Sequence, residues 1–270
     1  MVEAFAYGGG SVLNAIATWK GAAFAINLRV KAYAVKSDEM SYPNALAREV
    51  INEVSKVCEL GNVRVWTESE IPAGGGLKSS SAAANAMTLA LLKLCGLSPS
   101  PYMVLKMSVA ASKRAGVTVT GAFDDASASL LGGLVVTDNR NMIILKRIML
   151  KGLKAVVLPK GGRGMSFEEV SRRLKAFKKE FGKVFKMIEE DPFEAMTFNG
   201  LLVAAALNYS AKPIQKAIES GALASAVSGN GPSYVSLVEP DKVEDVLEAL
   251  SEFGKPIVAD LPTQPAYLPN

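Results

Sequence analysis

Three consecutive glycines and three consecutive serines, Gly74–Gly76 and Ser79–Ser81, constrain this chain more than any other feature. Glycine adopts positive φ without a steric penalty, so the backbone can turn tightly there. The apolar run Ala82–Leu97 then predicts a helix. Because the first turn of a helix has unpaired N–H groups and partial positive charge, the junction favours phosphate binding. A plain turn with a serine N-cap is the simpler alternative, but it requires neither three glycines nor three serines.

Two familiar phosphate-binding motifs do not fit this loop. The P-loop has glycine directly before Lys-Ser or Lys-Thr, whereas Leu77 separates Gly76 from Lys78 here. The dinucleotide motif has a third glycine where Ser79 stands and an acidic residue about twenty positions later, which is missing. The serine hydroxyls offer further donors, or an oxygen ligand for Mg²⁺.

The chain of 270 residues contains no histidine. The commonest general base and the commonest transition-metal ligand are therefore both excluded. Proton transfer falls to a carboxylate, a lysine or a tyrosine. A metal is expected to be a hard cation held by oxygen, such as Mg²⁺ carried with a nucleotide.

Composition also narrows the classes of partner. The net charge is only +4 and no basic run is interleaved with aromatic residues, so we expect no nucleic acid. The apolar helix is short and bounded by Gly96–Pro99, and the N-terminus does not resemble a signal peptide, so we expect no membrane. Cys58 and Cys95 lie in apolar helical contexts and are predicted to form no pair. A reducing cytoplasm fits this usage.

The element pattern predicts an α+β protein in two halves, residues 1–150 and 151–270. In the first half, Val2–Tyr7 is predicted to be a strand followed by a glycine loop at Gly8–Ser11. The second half follows the order β-helices-β-β-α-β, which predicts a ferredoxin-like layout. Ser166 with Glu169 predicts a capping box for one charged helix that extends to about Glu190.

Adjacent carboxylates, Asp124 and Asp125, precede another helical segment. Two neighbouring carboxylates are not both comfortably buried in ionised form. In the simpler interpretation, one carboxylate caps the helix and the other is solvated. Since there is no histidine, the pair also contains the best candidate for a catalytic base.

A third tight loop, Gly229-Asn230-Gly231-Pro232-Ser233, lies between two predicted strands. Asn-Gly is a strong hairpin signal, so an ordinary turn is one interpretation. Support for a phosphate or a substrate is the other. Lys160 and Arg163, on a further glycine loop, are in a position to contact an anion.

These loops and the aspartate pair, in this order, resemble the GHMP kinases, which include galactokinases, homoserine kinases and mevalonate kinases. Residues 72–82 resemble the family's central loop, 7–14 its N-terminal motif and 229–233 its C-terminal glycine motif. Within the superfamily, residues 14–18, 120–129 and 260–264 are most similar to the archaeal-type shikimate kinases.

The resemblance implies a GHMP kinase fold, with an N-terminal domain like ribosomal protein S5 domain 2 and a ferredoxin-like C-terminal domain. It implies ATP and Mg²⁺ as cofactors and phosphorylation of the shikimate 3-hydroxyl, a step of chorismate and aromatic amino-acid biosynthesis. Homoserine kinase is the alternative activity, and a non-catalytic nucleotide-binding module is the alternative from another class. Dimers are common in the superfamily, so a homodimer is the expected assembly.

The resemblance also assigns candidate residues. Counting back from Gly132-Gly133 favours Asp125 as the catalytic aspartate, whereas counting forward from Gly121 favours Asp124. Ser80 falls where the superfamily uses a serine for Mg²⁺. The expected ATP-binding residues are Pro72, Ala73, Gly74, Gly75, Gly76, Leu77, Lys78, Ser79, Ser80 and Ser81. The expected substrate-binding residues are Ser11, Asn14, Lys20, Thr120, Gly229, Asn230 and Gly231.

Two departures from the family pattern are visible. Where kinases similar to mevalonate kinase have a Mg²⁺-binding glutamate, this chain has Lys113-Arg114. Lys78 replaces the small residue usual in the loop, which puts a cation within reach of a phosphate or of the substrate carboxylate.

Overall fold

The computed structural model describes residues 1–162 and 165–266 and forms two antiparallel sheets with helices packed against them. The strands are β1 (Val2–Leu13), β2 (Lys20–Lys36), β3 (Val63–Ser69), β4 (Leu134–Asp138), β5 (Ile143–Ile148), β6 (Lys154–Leu158), β7 (Ala224–Val227), β8 (Tyr234–Val238) and β9 (Ile257–Asp260). The helices are α1 (Ala45–Val54), α2 (Ser79–Leu94), α3 (Pro101–Arg114), α4 (Phe123–Leu131), α5 (Phe167–Ala176), α6 (Lys178–Met187), α7 (Pro192–Leu207), α8 (Lys212–Glu219) and α9 (Val243–Ser251).

The first sheet has the order β1-β2-β4-β5, and β3 also pairs with β2. Helix α2 packs on β1 and β2 and is flanked by α1, α3 and α4. Almost every residue of α2 from Ser81 to Leu92 is buried, because Ala, Leu and Met occupy all its faces. Its one buried amide, Asn85, donates from Nδ2 to the carbonyl of Ala126 on α4 at 2.9 Å. The predicted central buried helix is therefore present.

The glycines at 8–10 lie inside a strand, not in the predicted loop. They pair with β2 as part of β1, and Gly9 faces the carbonyl of Phe24 so closely that a Cβ there would overlap it. A Cβ at Gly10 would overlap the ring of Phe24 in the same way. These glycines therefore allow neighbouring groups to approach the strand closely, which is a known reason for glycine within a strand.

The second sheet has the order β7-β8-β6-β9, which is the ferredoxin-like arrangement. The predicted single helix from Ser166 to about Glu190 is instead two helices, α5 and α6. They meet at Phe177, whose φ of −100° and ψ of 25° leave the helical range. The break places Phe177 against the core, beside Leu174 and Phe181.

The predicted capping box is half formed. The Ser166 hydroxyl accepts from the backbone N–H of Glu169 at 3.2 Å. The Glu169 carboxylate binds Arg173 one turn later, at 2.7 Å.

Residues 261–266, the last that the structure describes, contact the first half of the chain. The Pro262 carbonyl accepts from the Gly133 N–H at 3.0 Å, and the Ala266 N–H donates to the Leu130 carbonyl at 2.7 Å. Gly132 has φ of +73°, and a Cβ there would lie 2.6 Å from the Gln264 carbonyl oxygen. This segment, Leu261–Ala266, is therefore bonded to the end of α4.

The prediction that the cysteines form no pair is wrong. Cys58 and Cys95 are joined by a disulfide, because the residues that follow α1 and α2 come together when these helices pack. Their separation of 37 residues hides that proximity in the sequence. Across the described residues, no helix is long and apolar enough to span a membrane.

We expect the double variant Cys58→Ser/Cys95→Ser to lose about 3 kcal/mol of unfolding free energy, because the crosslink restricts the unfolded chain. Denaturant unfolding without reductant measures the loss. Wild type in excess dithiothreitol is the control and should unfold at the midpoint of the variant. Equal midpoints for variant and oxidised wild type would mean that the pair does not stabilise the fold.

Candidate functional site

A cavity of about 420 Å³ lies where the two halves of the chain meet. Its walls come from the central glycine loop, the turn after β1, the segment between α3 and α4, and the loop between β7 and β8. The predicted residues that line it are Ser11, Asn14, Gly74, Gly76, Leu77, Lys78, Ser79, Ser80, Ser81, Thr120, Asp124, Asp125, Gly229 and Asn230. The fold thus brings most of the sequence candidates to one place.

The central glycine loop is held against the loop of the second half. The Ser228 hydroxyl donates to the Gly76 carbonyl at 2.9 Å, and the Ser233 N–H donates to the Gly75 carbonyl at 3.1 Å. Gly76 has φ of +82°, and a Cβ there would overlap the Ser228 carbonyl oxygen. Glycine at this position thus serves both the turn and the contact between the two halves.

Helix α2 begins at the cavity without a side-chain cap. Its N-cap residue is Lys78, whose backbone is left-handed with φ of +68° and whose side chain caps nothing. The first-turn residues Ser79, Ser80 and Ser81 line the cavity. A helix start of this kind presents N–H groups, hydroxyls and a partial positive charge to an anion.

The side chain of Lys78 turns away from its own helix toward the aspartate pair. Its Nζ lies 2.7 Å from Asp125 Oδ1 and 2.5 Å from the Ser11 hydroxyl. The lysine side chain is only 4% exposed, whereas that of Asp125 is 20% exposed. A buried ammonium thus faces a carboxylate that is still open to the cavity.

Asp124 has a different environment. Asn139 Nδ2 donates to its Oδ1 at 2.7 Å, and the residue is 4% exposed. Burial, followed by the charge of Asp125, raises the pKa of Asp124 to about 7, against the opposing effects of Lys78 and Asn139. The two adjacent carboxyls therefore differ: one is ion-paired, and the other is enclosed and held by an amide.

The turn after β1 joins the two halves across the cavity. Asn14 Nδ2 donates to the Gly229 carbonyl and to Asn230 Oδ1, both at 2.9 Å. The Ser11 hydroxyl accepts from the Gly229 N–H at 2.9 Å as well as from Lys78. Asn199 Oδ1 accepts from the Asn14 N–H at 2.9 Å. These contacts fix the positions of the turn after β1 and of the loop between β7 and β8 at the cavity.

Several predicted residues lie outside the cavity lining. Lys20 pairs with Asp138 at 2.7 Å, and this contact lowers the pKa of Asp138 to about 2. Lys160 Nζ donates to the Phe253 carbonyl. Pro72, Ala73 and Gly75 belong to the central loop but do not line the cavity, and Gly231 supports its own loop through a bond to the Ser228 carbonyl. Arg163 lies outside the described residues.

The position of the family's glutamate is occupied by two cations with separate contacts. Arg114 binds Glu49 at 3.1 Å and also Glu53, so it joins α3 to α1. The Lys113 side chain lies over Gly121, where its Cε would be 2.5 Å from a Cβ. In the described ranges, no group of three acidic, histidine or cysteine residues forms a metal site.

Sequence reasoning missed Asn139, Ser112 and Thr118. Ser112 of α3 and Thr118, which follows α3, both line the cavity. Asn139, in the turn after β4, donates a hydrogen bond to Asp124. Asn139 follows Asp138 in a short segment between two strands, which is typical of a turn. Its role is not visible in the sequence, because the folded sheet brings this turn beside α4.

Two family models match parts of this chain. Residues 42–133 match the GHMP kinases N terminal domain, and residues 189–256 match the GHMP kinases C terminal domain. The chain belongs to the GHMP kinases and is an ATP-dependent small-molecule kinase.

Among its relatives is a shikimate kinase of Methanothrix thermoacetophila, 43% identical over 94% of this chain and 91% of that protein. Another is a shikimate kinase of Methanosarcina mazei, 38% identical over 93% of this chain and 90% of that protein. A crystal structure of mevalonate kinase superposes with a TM-score of 0.79 over 97% of this chain and 99% of that one, at 14% identity. The predicted α+β GHMP kinase fold is confirmed.

We expect Gly76→Ala to lower the affinity for ATP at least about tenfold, because the loop must move away from Ser228 to accommodate a Cβ. Isothermal titration with a non-hydrolysable ATP analogue measures the change. Gly61→Ala is the matched control: it has φ of +62° but nothing within 4 Å of its Cβ position. Equal affinities for the two variants would show that positive φ alone, and not the contact with Ser228, matters.

Proposed function

We propose that this chain transfers the γ-phosphoryl group of ATP to the 3-hydroxyl of shikimate. The observation that carries the kinase chemistry is the cavity that joins the start of α2 to the Lys78–Asp125 ion pair. The choice of acceptor is supported by relatives named shikimate kinase that match almost the whole chain at 35–43% identity. The reaction belongs to chorismate and aromatic amino-acid biosynthesis.

The central loop is the proposed site for the ATP phosphates. Backbone N–H groups from Gly74 to Ser80 and the serine hydroxyls bind the phosphate oxygens, assisted by the partial positive charge of α2. The contacts of Gly75 and Gly76 with Ser233 and Ser228 hold the loop in shape before the nucleotide arrives. Binding then requires little reorganisation.

The donor set at the cavity fits Mg²⁺ that arrives with ATP. Mg²⁺ keeps several waters and takes few protein ligands when phosphates supply oxygens. The Ser80 hydroxyl lines the cavity beside the proposed phosphate site and is the proposed protein ligand. When bound, the ion neutralises charge on the transferred group.

Asp125 is the proposed catalytic carboxylate, with Asp124 as the alternative. During transfer, the acceptor oxygen forms a bond to the γ-phosphorus while the bond to the bridging oxygen breaks, and that electron pair leaves with ADP. The hydroxyl proton goes to the carboxylate. Lys78 orients Asp125 through its Oδ1 and places a buried positive charge at the cavity.

Ser11, Asn14, Thr120, Gly229 and Asn230 are the proposed acceptor-side residues. They line the cavity, Thr120 on the segment that leads into α4 and the other four on the turn after β1 and the loop between β7 and β8, and their hydroxyl and amide groups suit a polyhydroxylated substrate. Lys20 and Gly231 are proposed to act only through the segments that carry them. The division into domains at 1–150 and 151–270 is proposed because each sheet takes its strands from one of these halves. A homodimer is also proposed, and a cytoplasmic location is proposed from the relatives alone, since the Cys58–Cys95 disulfide removes the argument from unpaired cysteines.

The acceptor is tested with a panel of shikimate, homoserine and mevalonate, each with ATP and Mg²⁺. We expect transfer to shikimate alone, observed as shikimate 3-phosphate by mass spectrometry and as ADP release. Transfer to homoserine without transfer to shikimate would overturn the acceptor but not the kinase assignment. ATP binding without turnover of any acceptor would favour a non-catalytic module.

We expect Asp125→Asn to lower kcat by about two to four orders of magnitude, because the carboxylate that takes the proton is lost. Steady-state kinetics at saturating ATP and shikimate measure the change, and Asp124→Asn is compared in parallel. Asp245→Asn, an exposed partner of Lys242 on α9, is the control and should keep normal kcat. Near-normal kcat for Asp125→Asn, with a large loss for Asp124→Asn, would transfer the role to Asp124.

A further inference from the structure

Helix α4 carries both aspartates in its first turn but has no cap of its own. Its N-cap residue is Ala122, left-handed with φ of +47°, and an alanine side chain accepts no hydrogen bond. The first-turn N–H groups of a helix need partners from elsewhere. The first turn of this helix therefore depends on a cap from outside the helix.

Asn139, from the turn between β4 and β5, supplies the missing cap. Its Oδ1 accepts from the Asp124 N–H at 3.1 Å, and its Nδ2 donates to Asp124 Oδ1 at 2.7 Å. In a capping box, a side chain of the same helix accepts from such a first-turn N–H. Here the partner lies 15 residues away and belongs to the sheet.

The orientation of the Asn139 amide follows from its partners. The Asp124 N–H can only donate, so the oxygen of Asn139 must face it and the nitrogen must face the carboxyl. The Thr137 hydroxyl donates to the same oxygen at 2.7 Å, and the Asn139 N–H donates to the Trp19 carbonyl at 2.8 Å. Asn139 is completely buried. Its side chain is thus fixed on several sides.

The other oxygen of Asp124 lies over Gly21 of β2. A Cβ at Gly21 would be 2.5 Å from Asp124 Oδ2 and 3.0 Å from the Cβ of Ala15, which lines the cavity. The carboxyl therefore occupies a space left by a glycine, between Asn139 and the cavity. No larger residue fits at position 21 without displacing it.

The charged groups around this end of α4 come from several elements. Asp125 belongs to α4 itself and Lys78 precedes α2, and both act on the pKa of Asp124. The Lys20–Asp138 pair joins β2 to β4, and Lys113 of α3 lies over Gly121. On β1 the one charged residue is Glu3, which faces Lys31 at 3.8 Å.

We propose that Asn139 is a positioning residue for phosphoryl transfer, which aligns the aspartate pair and holds the Asp124 carboxyl at the cavity wall in its ionised form. The inference rests on the proposed kinase function. An amide donor stabilises a carboxylate without adding charge, and its removal raises the pKa of the carboxyl. Asn139 acts through Asp124 and is not itself a catalytic residue.

The variant Asn139→Asp separates the two contacts. It keeps an oxygen that accepts from the Asp124 N–H, so the cap remains, but it replaces the donor with a second carboxyl. We expect the acid limb of the kcat/KM profile to move up by about one pH unit or more, because the two carboxyls compete for a proton. Activity at about pH 6 then falls about tenfold and recovers toward about pH 9.

Asn141→Asp is the matched control, since Asn141 lies in the same turn but donates to Asp138 at 2.9 Å. Its pH profile should coincide with that of wild type. An unchanged profile for Asn139→Asp, or a uniform loss at every pH, would overturn the proposal in favour of a structural cap only.

A second readout does not depend on turnover. Titration of the Asp124 carboxyl carbon by NMR, assigned with Asp124→Asn, should show a higher pKa in Asn139→Asp than in wild type. Equal values would overturn the proposal even if the protein phosphorylates shikimate. A shift in a protein that does not phosphorylate shikimate would retain the role of Asn139 and reject only the acceptor.

Discussion

The close contact between the central glycine loop and its neighbours is the constraint on which the rest of the site depends. The Gly76 carbonyl accepts from Ser228, and the Leu77 carbonyl accepts from the Gly9 N–H at 3.1 Å. Three glycine segments that are far apart in sequence thus meet through their backbones. Side chains at these positions would separate the segments. The start of α2, where we propose that the ATP phosphates bind, would then lose its support.

Lys78 connects the conformation of the glycine loop to the position of the aspartates. A left-handed backbone at a non-glycine residue costs roughly 1–2 kcal/mol. The same conformation directs the ammonium away from α2 and toward Asp125, with which it forms an ion pair, while its hydrogen bond goes to the Ser11 hydroxyl. Strain of this kind persists where the surrounding structure fixes it, and it concentrates at functional sites. The loop and the carboxylate therefore form one unit even though 47 residues separate Lys78 from Asp125.

Local pattern was sufficient for much of the fold. The order of the elements predicted the ferredoxin-like second sheet, and the glycine–serine junction predicted the start of α2. Local sequence pattern failed where the structure depends on contacts between residues that are distant in sequence. The glycines of β1 are needed because Phe24 lies so close to them. The cysteines pair because α1 packs on α2, and Lys20 forms an ion pair with Asp138. Asn139 resembles an ordinary turn residue until the sheet places it beside α4. Sequence spacing also left the choice between Asp124 and Asp125 open, because adjacent residues differ in environment and not in type.

The return of Leu261–Ala266 to α4 has a consequence for how the molecule works. The chain forms the first sheet and then the second, and residues 261–266 contact the first half again, so the halves are joined by the crossing at 150 and by this segment. Separating them like a clamshell would break the bonds of Gly133 and Ala266 as well as the contacts of Asn14. We therefore expect the two sheets to keep a fixed relative orientation throughout the catalytic cycle.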